Sequence, residues 1–310
     1  MERLHQLAQC KTIEDSKLYL RQFMDFLFQT IETSKYYHAK SENDADCLVL
    51  VQMLFTRVNC FYKLLDGFDY HFGNVHLNKI IDHSTLFSIV RDIYEALCTF
   101  ELIFVLPQTI DEEIIAYNTF VAAGLKERQS LNIDTDAAKA VKAEEFVEWV
   151  EIENTIHNTQ LYKQLTEDEK KAFDNTFNST HPIYRWHIDE NGKLKKVSWE
   201  YAYKLIGLKE ETFSSIYNFL SLHAHPTSLS LRQFRDSFLE TDPAFVWETC
   251  FACKIVSILL SVYIADLGHK YDFVKELFDN QKEETQWMLD IQNKIYRGKR
   301  YALCDKWLSE

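Results

Sequence analysis

The chain has 310 residues, 47 acidic against 34 basic, for a formal net charge of −13; 46% of it is hydrophobic and 14% aromatic, ample for a packed core. Only 7 Gly and 4 Pro occur, which argues against sandwiches, barrels and Gly-rich nucleotide folds, all of which need frequent tight turns. The acidic balance argues against a broad DNA-binding surface, because a polyanion is repelled by a field of its own sign.

The N-terminus, MERLHQLAQCKTIEDSK, carries charges throughout and lacks the apolar core of a secretory signal. Apolar residues then recur at helical spacing, beginning with Leu20, Phe23, Met24, Leu27, Phe28 and Ile31. The pattern predicts helices over 13–39, 44–66, 79–106, 110–130, 136–158, 165–177, 198–206, 210–222, 229–240, 243–268 and 270–297. Breaks fall at 41–44, at Pro107, at 132–136 and at Asp242-Pro243, where cap or breaker residues interrupt the periodicity. His71, His76 and His83 surround a Gly-containing stretch and are expected as solvent-facing loop residues. Around Asn191-Gly192, two short arms between Tyr184 and Trp199 predict a small β-hairpin, since Asn-Gly supplies the positive φ of a tight turn. The expected fold is therefore all-α, a multi-helix bundle with one small hairpin near 184–199. It divides into an N-terminal helical region, 1–180, and a C-terminal one, 181–310, packed as one domain.

The most apolar stretch, Phe245 to Leu267, is interrupted by Glu248, Lys254 and Asp266 and reads as a core helix rather than a membrane span. The seven cysteines are an odd number, mostly set within apolar helical patterns, which implies reduced thiols and a cytosolic setting. Cys250-x-x-Cys253 stands alone and reads as helix packing rather than half of a zinc site. His223-Ala-His225 has too few carboxylates nearby for a third ligand, so neither a metal nor any other cofactor is expected. Lys193, Lys195 and Lys196, and Arg297, Lys299 and Arg300, read as solvated surface clusters.

Two segments carry candidate chemistry. The helix Leu86 to Phe104 is apolar around most of its circumference, yet Ser84, Ser88, Arg91, Glu95 and Cys98 form a polar stripe along it. Arg91 and Glu95, spaced i,i+4, can pair; on a cleft wall Arg91 would present a fork to phosphate or carboxylate while Glu95 orients it. In Thr212 to Thr227 the apolar face is Phe213, Ile216, Tyr217 and Leu220, and Ser214, Asn218 and Ser221 run opposite. Pro226 ends that helix and gathers His223, His225, Ser221 and Thr227 at its C-terminus, where the dipole favours protonated imidazole. A capping turn, with the histidines bonding free carbonyls, is the alternative.

Arg91-x-x-x-Glu95, followed by Tyr217-x-x-Leu220-Ser221-x-x-x-His225-Pro226, resembles a family of bacterial all-helical proteins of unknown function. In that family a tryptophan-containing stretch lies between the motifs, as Trp186 and Trp199 do here. The resemblance covers roughly Asp82 to Leu231 and implies a helical fold with a cleft shared by Arg91, Glu95 and His225. More distantly the chain is similar to HEPN-type helical ribonucleases, but no histidine here has the arginine four to six residues before it that marks them. Ribonuclease chemistry would need a composite site, with Arg91 stabilising phosphorane charge and His225 or His223 exchanging protons.

These readings give three expectations. The first is a ligand-sensing or interaction component of a bacterial stress or phage-defence system, binding a small anionic ligand. The second is a metal-independent ribonuclease acting on RNA, and the third a structural scaffold. The catalytic candidates are Arg91, Glu95, His225 and His223; the ligand-binding candidates are Ser88, Asn218, Ser221, Tyr217 and Thr227. A homodimer is expected through the amphipathic helices 13–39 and 270–297, and no membrane partner.

Overall fold

In the computed structural model, residues 2–189, 192–223, 227–236 and 243–304 are described. In chain order they form α1 (Glu2–Ala8), α2 (Ile13–Ser34), α3 (Glu42–Leu64), β1 (Phe68–Phe72), β2 (Val75–Ile80) and α4 (His83–Phe100). Next come α5 (Ile110–Ser130), α6 (Asp136–Asn158), α7 (Gln160–Gln164), α8 (Glu167–Phe177), β3 (Trp186–Ile188) and β4 (Leu194–Lys196). Then follow α9 (Trp199–Leu205), α10 (Glu210–Phe213), α11 (Ile216–His223), α12 (Ser228–Asp236), α13 (Pro243–Lys270), α14 (Asp272–Asp279) and α15 (Glu283–Arg297). The fold is all-α, with two separate two-stranded antiparallel hairpins.

Many helix starts are set by side chains that satisfy otherwise orphaned amides. Thr12, Ser41, Thr109 and Thr135 each accept from a first-turn backbone N–H, and Thr166 with Glu169 completes a capping box. α4 ends differently. Pro107 has no N–H to offer the preceding turn, and Glu101–Val105 widen into a π-turn in which Leu106 N donates to Glu101 O at 2.8 Å.

Two compact units result: Met1–Cys98 together with Trp199–Glu310, and Thr99–Ser198. The division read at 180/181 falls within the second unit, because β3 carries the buried Trp186 into that unit's own core, against Phe173 at 5.0 Å. That core is an antiparallel α5–α6 pair, with Ile115, Leu125, Trp149, Ile152 and Ile156 meeting Tyr162, Phe173 and Phe177 of α7 and α8.

In the first unit α13 is the centre, packed on α2, α14 and α15. It is long and apolar enough to cross a membrane, as α3 is, but 89% of its most apolar window is buried inside the protein. Cys250 and Cys253 are buried free thiols on it. Beside it lies a buried polar network on α15. Asp266 and Arg297 pair at 2.5 Å, and Arg297 Nε donates to Ile206 O at 2.6 Å. Asn293 Nδ2 donates to Tyr301 O at 2.6 Å, and Asp290 Oδ2 accepts from Leu303 N at 3.2 Å. Gly207, at φ +77°, lies so close to the Tyr301 ring that a Cβ there would collide with it. Arg297 is thus an internal residue, not part of a solvated basic cluster: Asp266 supplies the charge that permits its burial.

Four predicted helices are corrected, the first being 13–39, which ends at Ser34. The helix expected over 79–106 begins at His83, because 75–80 is paired in β2. The segment 210–222 breaks at Ser214-Ser215, and 270–297 breaks between Asp279 and Glu283. The first hairpin was not predicted. Gly73, at φ +58°, begins its two-residue turn, and the register pairs Phe72 with Val75, His71 with His76 and Tyr70 with Leu77. His71 and His76 are exposed, as expected, but stand on strands, with Nδ1 atoms 2.9 Å apart. His83 is buried instead, between Phe87 and Phe245.

Candidate functional site

The expected polar stripe on α4 divides at Ser88. One branch carries Arg91 and Glu95. Arg91 Nε donates to Glu95 Oε1 at 2.8 Å, its terminal nitrogen donates to the Tyr217 hydroxyl at 3.0 Å, and that hydroxyl donates to Glu95 Oε1 at 3.3 Å. The guanidinium also lies 5.1 Å from the Tyr217 ring centre. Both charged side chains are about a quarter exposed, at 26% each. Burial lowers the Arg91 pKa, but Glu95 and Tyr217 outweigh it and hold the group above its ordinary value. Burial and the Glu95 charge push the Tyr217 phenol up. At neutral pH the cluster is therefore an ion pair bridged by a neutral phenol. A double-mutant cycle on Arg91→Met and Glu95→Gln, read by chemical denaturation, is expected to give a coupling of about 0.5–1 kcal/mol, the range for a partly exposed pair. A coupling near zero would show that Tyr217 alone holds Arg91.

The other branch lines a cleft of about 350 Å³. Its wall includes Asp82, Ser84, Ser88 and Asp92 of the α4 region, with His223 and Ser230 from α11 and α12. Ser88 Oγ joins the two sides, 2.8 Å from Ser84 O and 3.4 Å from His223 O. Asp82 is fixed by capping α4, accepting from Ser84 N at 3.0 Å and from the Thr85 hydroxyl at 2.6 Å. Asp92 is exposed at the opposite end of the α4 wall.

His223 is 4% exposed, its ring 4.7 Å from that of Phe87 and 5.1 Å from that of Phe219. Among the described residues, neither ring nitrogen has a hydrogen-bond partner. The expectation that the helix dipole favours its protonation is overturned: burial between two phenyl rings lowers its pKa, with Asp82 opposing only in part. His223 is consequently a neutral imidazole.

The remaining candidates are dispersed. Asn218 is exposed and donates to Glu200 of α9 at 2.7 Å. Ser221 bonds Tyr217 O within its own helix at 2.8 Å. Thr227 caps α12 through the Ser230 amide at 3.1 Å. His225 lies outside the described residues. Arg91, Glu95 and Tyr217 are thus brought together, as are Ser88 and His223, while Asn218, Ser221 and Thr227 serve local structure. Sequence reasoning missed Asp82, Asp92 and Ser230. The spacing Ser84, Ser88, Asp92 at i, i+4, i+8 was the available signal. Comparison of the chain with models of protein families, with curated proteins and with solved structures finds no match.

Proposed function

We propose that this chain is a ligand-sensing protein whose cleft between α4, α11 and α12 takes a small amine-bearing cation. The observation that carries the reading is His223, a buried imidazole on the cleft wall with both nitrogens unpartnered. Leaving such a group unsatisfied costs roughly 1–3 kcal/mol, and a donor on a bound ligand removes the part that falls on the unprotonated ring nitrogen, the one that can accept.

Charge supports a cation over the anion expected from Arg91. Among the described residues the lining contains Asp82 and Asp92 and no Lys or Arg, while Arg91 lies outside it, engaged by Glu95 and Tyr217. An ammonium donates to carboxylates, hydroxyls and a neutral imidazole alike. The same engagement weighs against a ribonuclease, which needs a guanidinium available to phosphate. The free thiols support a cytosolic setting. α4 carries Arg91 and Glu95, and α11 carries Tyr217, Leu220 and Ser221, of the motifs that resemble the bacterial helical family, so a stress or defence role remains the reading of its setting.

Thermal denaturation with 1,4-diaminobutane, and separately with phosphate and citrate, tests this. The diamine is expected to raise Tm, corresponding to about 2.7 kcal/mol at a hundred times Kd, and the anions are not. Asp92→Asn, at an exposed position, should abolish the diamine effect and leave the unliganded Tm in place. Stabilisation by the anions alone, or no diamine effect, would count against the proposal.

A further inference from the structure

We infer that the β1–β2 hairpin is a self-association surface, through which two copies of this chain join by antiparallel pairing of β1 with β1, centred on Tyr70. The hairpin is unusual in what it exposes. Phe68, Tyr70 and Phe72 of β1 and Val75 and Leu77 of β2 alternate onto one face, and Tyr70, Phe72 and Val75 are 67%, 75% and 71% exposed. Asp69, His71 and His76 occupy the other face. Among the described residues, no third strand pairs with either edge. A lone two-stranded hairpin is marginal in water, whereas a sheet of three or more strands with an apolar face is not.

The occupant follows from the register. Phe72 and Val75 flank the two-residue turn, so they exchange backbone hydrogen bonds, and the His71–His76 pair does not. This agrees with the 4.0 Å separation of the two imidazole rings, the closer side-chain spacing of a non-hydrogen-bonded pair. By alternation, the N–H and C=O of Asp69 and His71 point outward along the free edge of β1. A two-fold axis through Tyr70 sets Asp69 opposite His71 of the partner subunit, so these outward groups satisfy one another. The same register sets a carboxylate beside an imidazole twice, Phe68 beside the partner's Phe72, and Tyr70 beside the partner's Tyr70. Backbone, charge and aromatic pairing all close in this one arrangement, a self-complementarity that an isologous dimer requires. The stripes of the terminal helices, by contrast, are used inside the first unit: α2 buries Tyr19, Leu20, Phe23 and Leu27, and α15 buries Trp287, Met288 and Leu289.

Light scattering on the full chain should give a dimeric mass. Tyr70→Lys, at an exposed position, should give a monomer with unchanged helical circular dichroism. Mild oxidation should cross-link Tyr70→Cys through the two-fold, where non-hydrogen-bonded Cα atoms lie about 4.5 Å apart. Phe72→Cys should not cross-link, its copies being four residues apart along the ladder, roughly 13 Å. The unsubstituted chain gives the background from native thiols. A monomeric wild type, a dimer that survives Tyr70→Lys, or cross-linking of Phe72→Cys equal to that of Tyr70→Cys would overturn the inference. Should Tyr70→Lys lose helical signal, the mass and the cysteine pair decide it.

Discussion

Arg297→Met is expected to lower the free energy of unfolding by roughly 3–5 kcal/mol, the range for removing one partner of a buried ion pair. The side chains of Arg297 and Asp266 are only 3% and 6% exposed. Methionine leaves the carboxylate of Asp266 in the interior without its cation, and Ile206 O without its donor. Arg297 also stacks on the Tyr301 ring at 4.0 Å, so the segment after α15 loses an anchor. Adding Asp266→Asn should restore part of the loss, because an amide is far cheaper to bury than an unpaired charge. Urea denaturation of the single and double variants decides the matter. A loss below about 1 kcal/mol for Arg297→Met would mean that water reaches Asp266, as at a surface pair.

The second large effect is on pH. Burial pushes the His83 pKa down to about 4 from 6.5, against opposing contributions from a hydrogen bond to Phe245 and from Asp82. Thr249 Oγ1 donates to Phe245 O at 3.0 Å, so His83 Nε2, 2.9 Å from the Thr249 hydroxyl oxygen, carries the proton and donates to that hydroxyl. Glu248 Oε2 stands 3.5 Å from Nδ1, too far for a strong charge-assisted bond, while Gln233 holds its other oxygen at 3.2 Å. The folded state therefore binds fewer protons than the unfolded state between pH 6.5 and 4. Stability is complete above about pH 6.5, falls as pH drops toward 4 and changes no further with this group below that. A shift of this size corresponds to roughly 3 kcal/mol, and His223, depressed by the same cause, acts in the same direction. Unfolding free energies measured across the window should fall more steeply for wild type than for His83→Gln, whose amide retains a donor for Thr249. Parallel curves would show that His83 is readily protonated in place.

What the sequence made legible was local. The helices 110–130 and 136–158 were read to the residue, since Thr109 and Thr135 are strong N-caps and periodicity lapses where each helix ends. The second hairpin was visible because Asn191-Gly192 between two short arms is a turn signal; Gly192 takes φ +74° in a loop closed by Asp189 N donating to Lys193 O, and Asn191 lies outside the described residues. The first was missed although Gly73-Asn74 between two alternating runs is the same kind of signal; the apolar alternation of Phe68, Tyr70 and Phe72 was passed over for the histidines beside it. Arg91, Glu95 and Tyr217 were found together because i,i+4 spacing and a motif pointed to them. Burial was harder to read. His83 follows a turn and Arg297 precedes two more basic residues, and each looks solvated until its partners, Thr249 and Asp266, arrive from α13. The fate of His223 likewise depends on Phe87, from another helix.

The arrangement of the first unit constrains how the chain matures during synthesis. α2 buries its apolar face against α13 and α15, and the Tyr19 hydroxyl donates to Met288 O across a sequence separation of 269 residues. α2 can thus pair with α1 and α3 as it leaves the ribosome, but the faces of α13 and α15 that it also packs on are still untranslated. Residues 99–198, whose contacts are close in sequence, can close first while the apolar face of α2 waits exposed. The interval before α13 emerges is when a nascent-chain chaperone has most to shield.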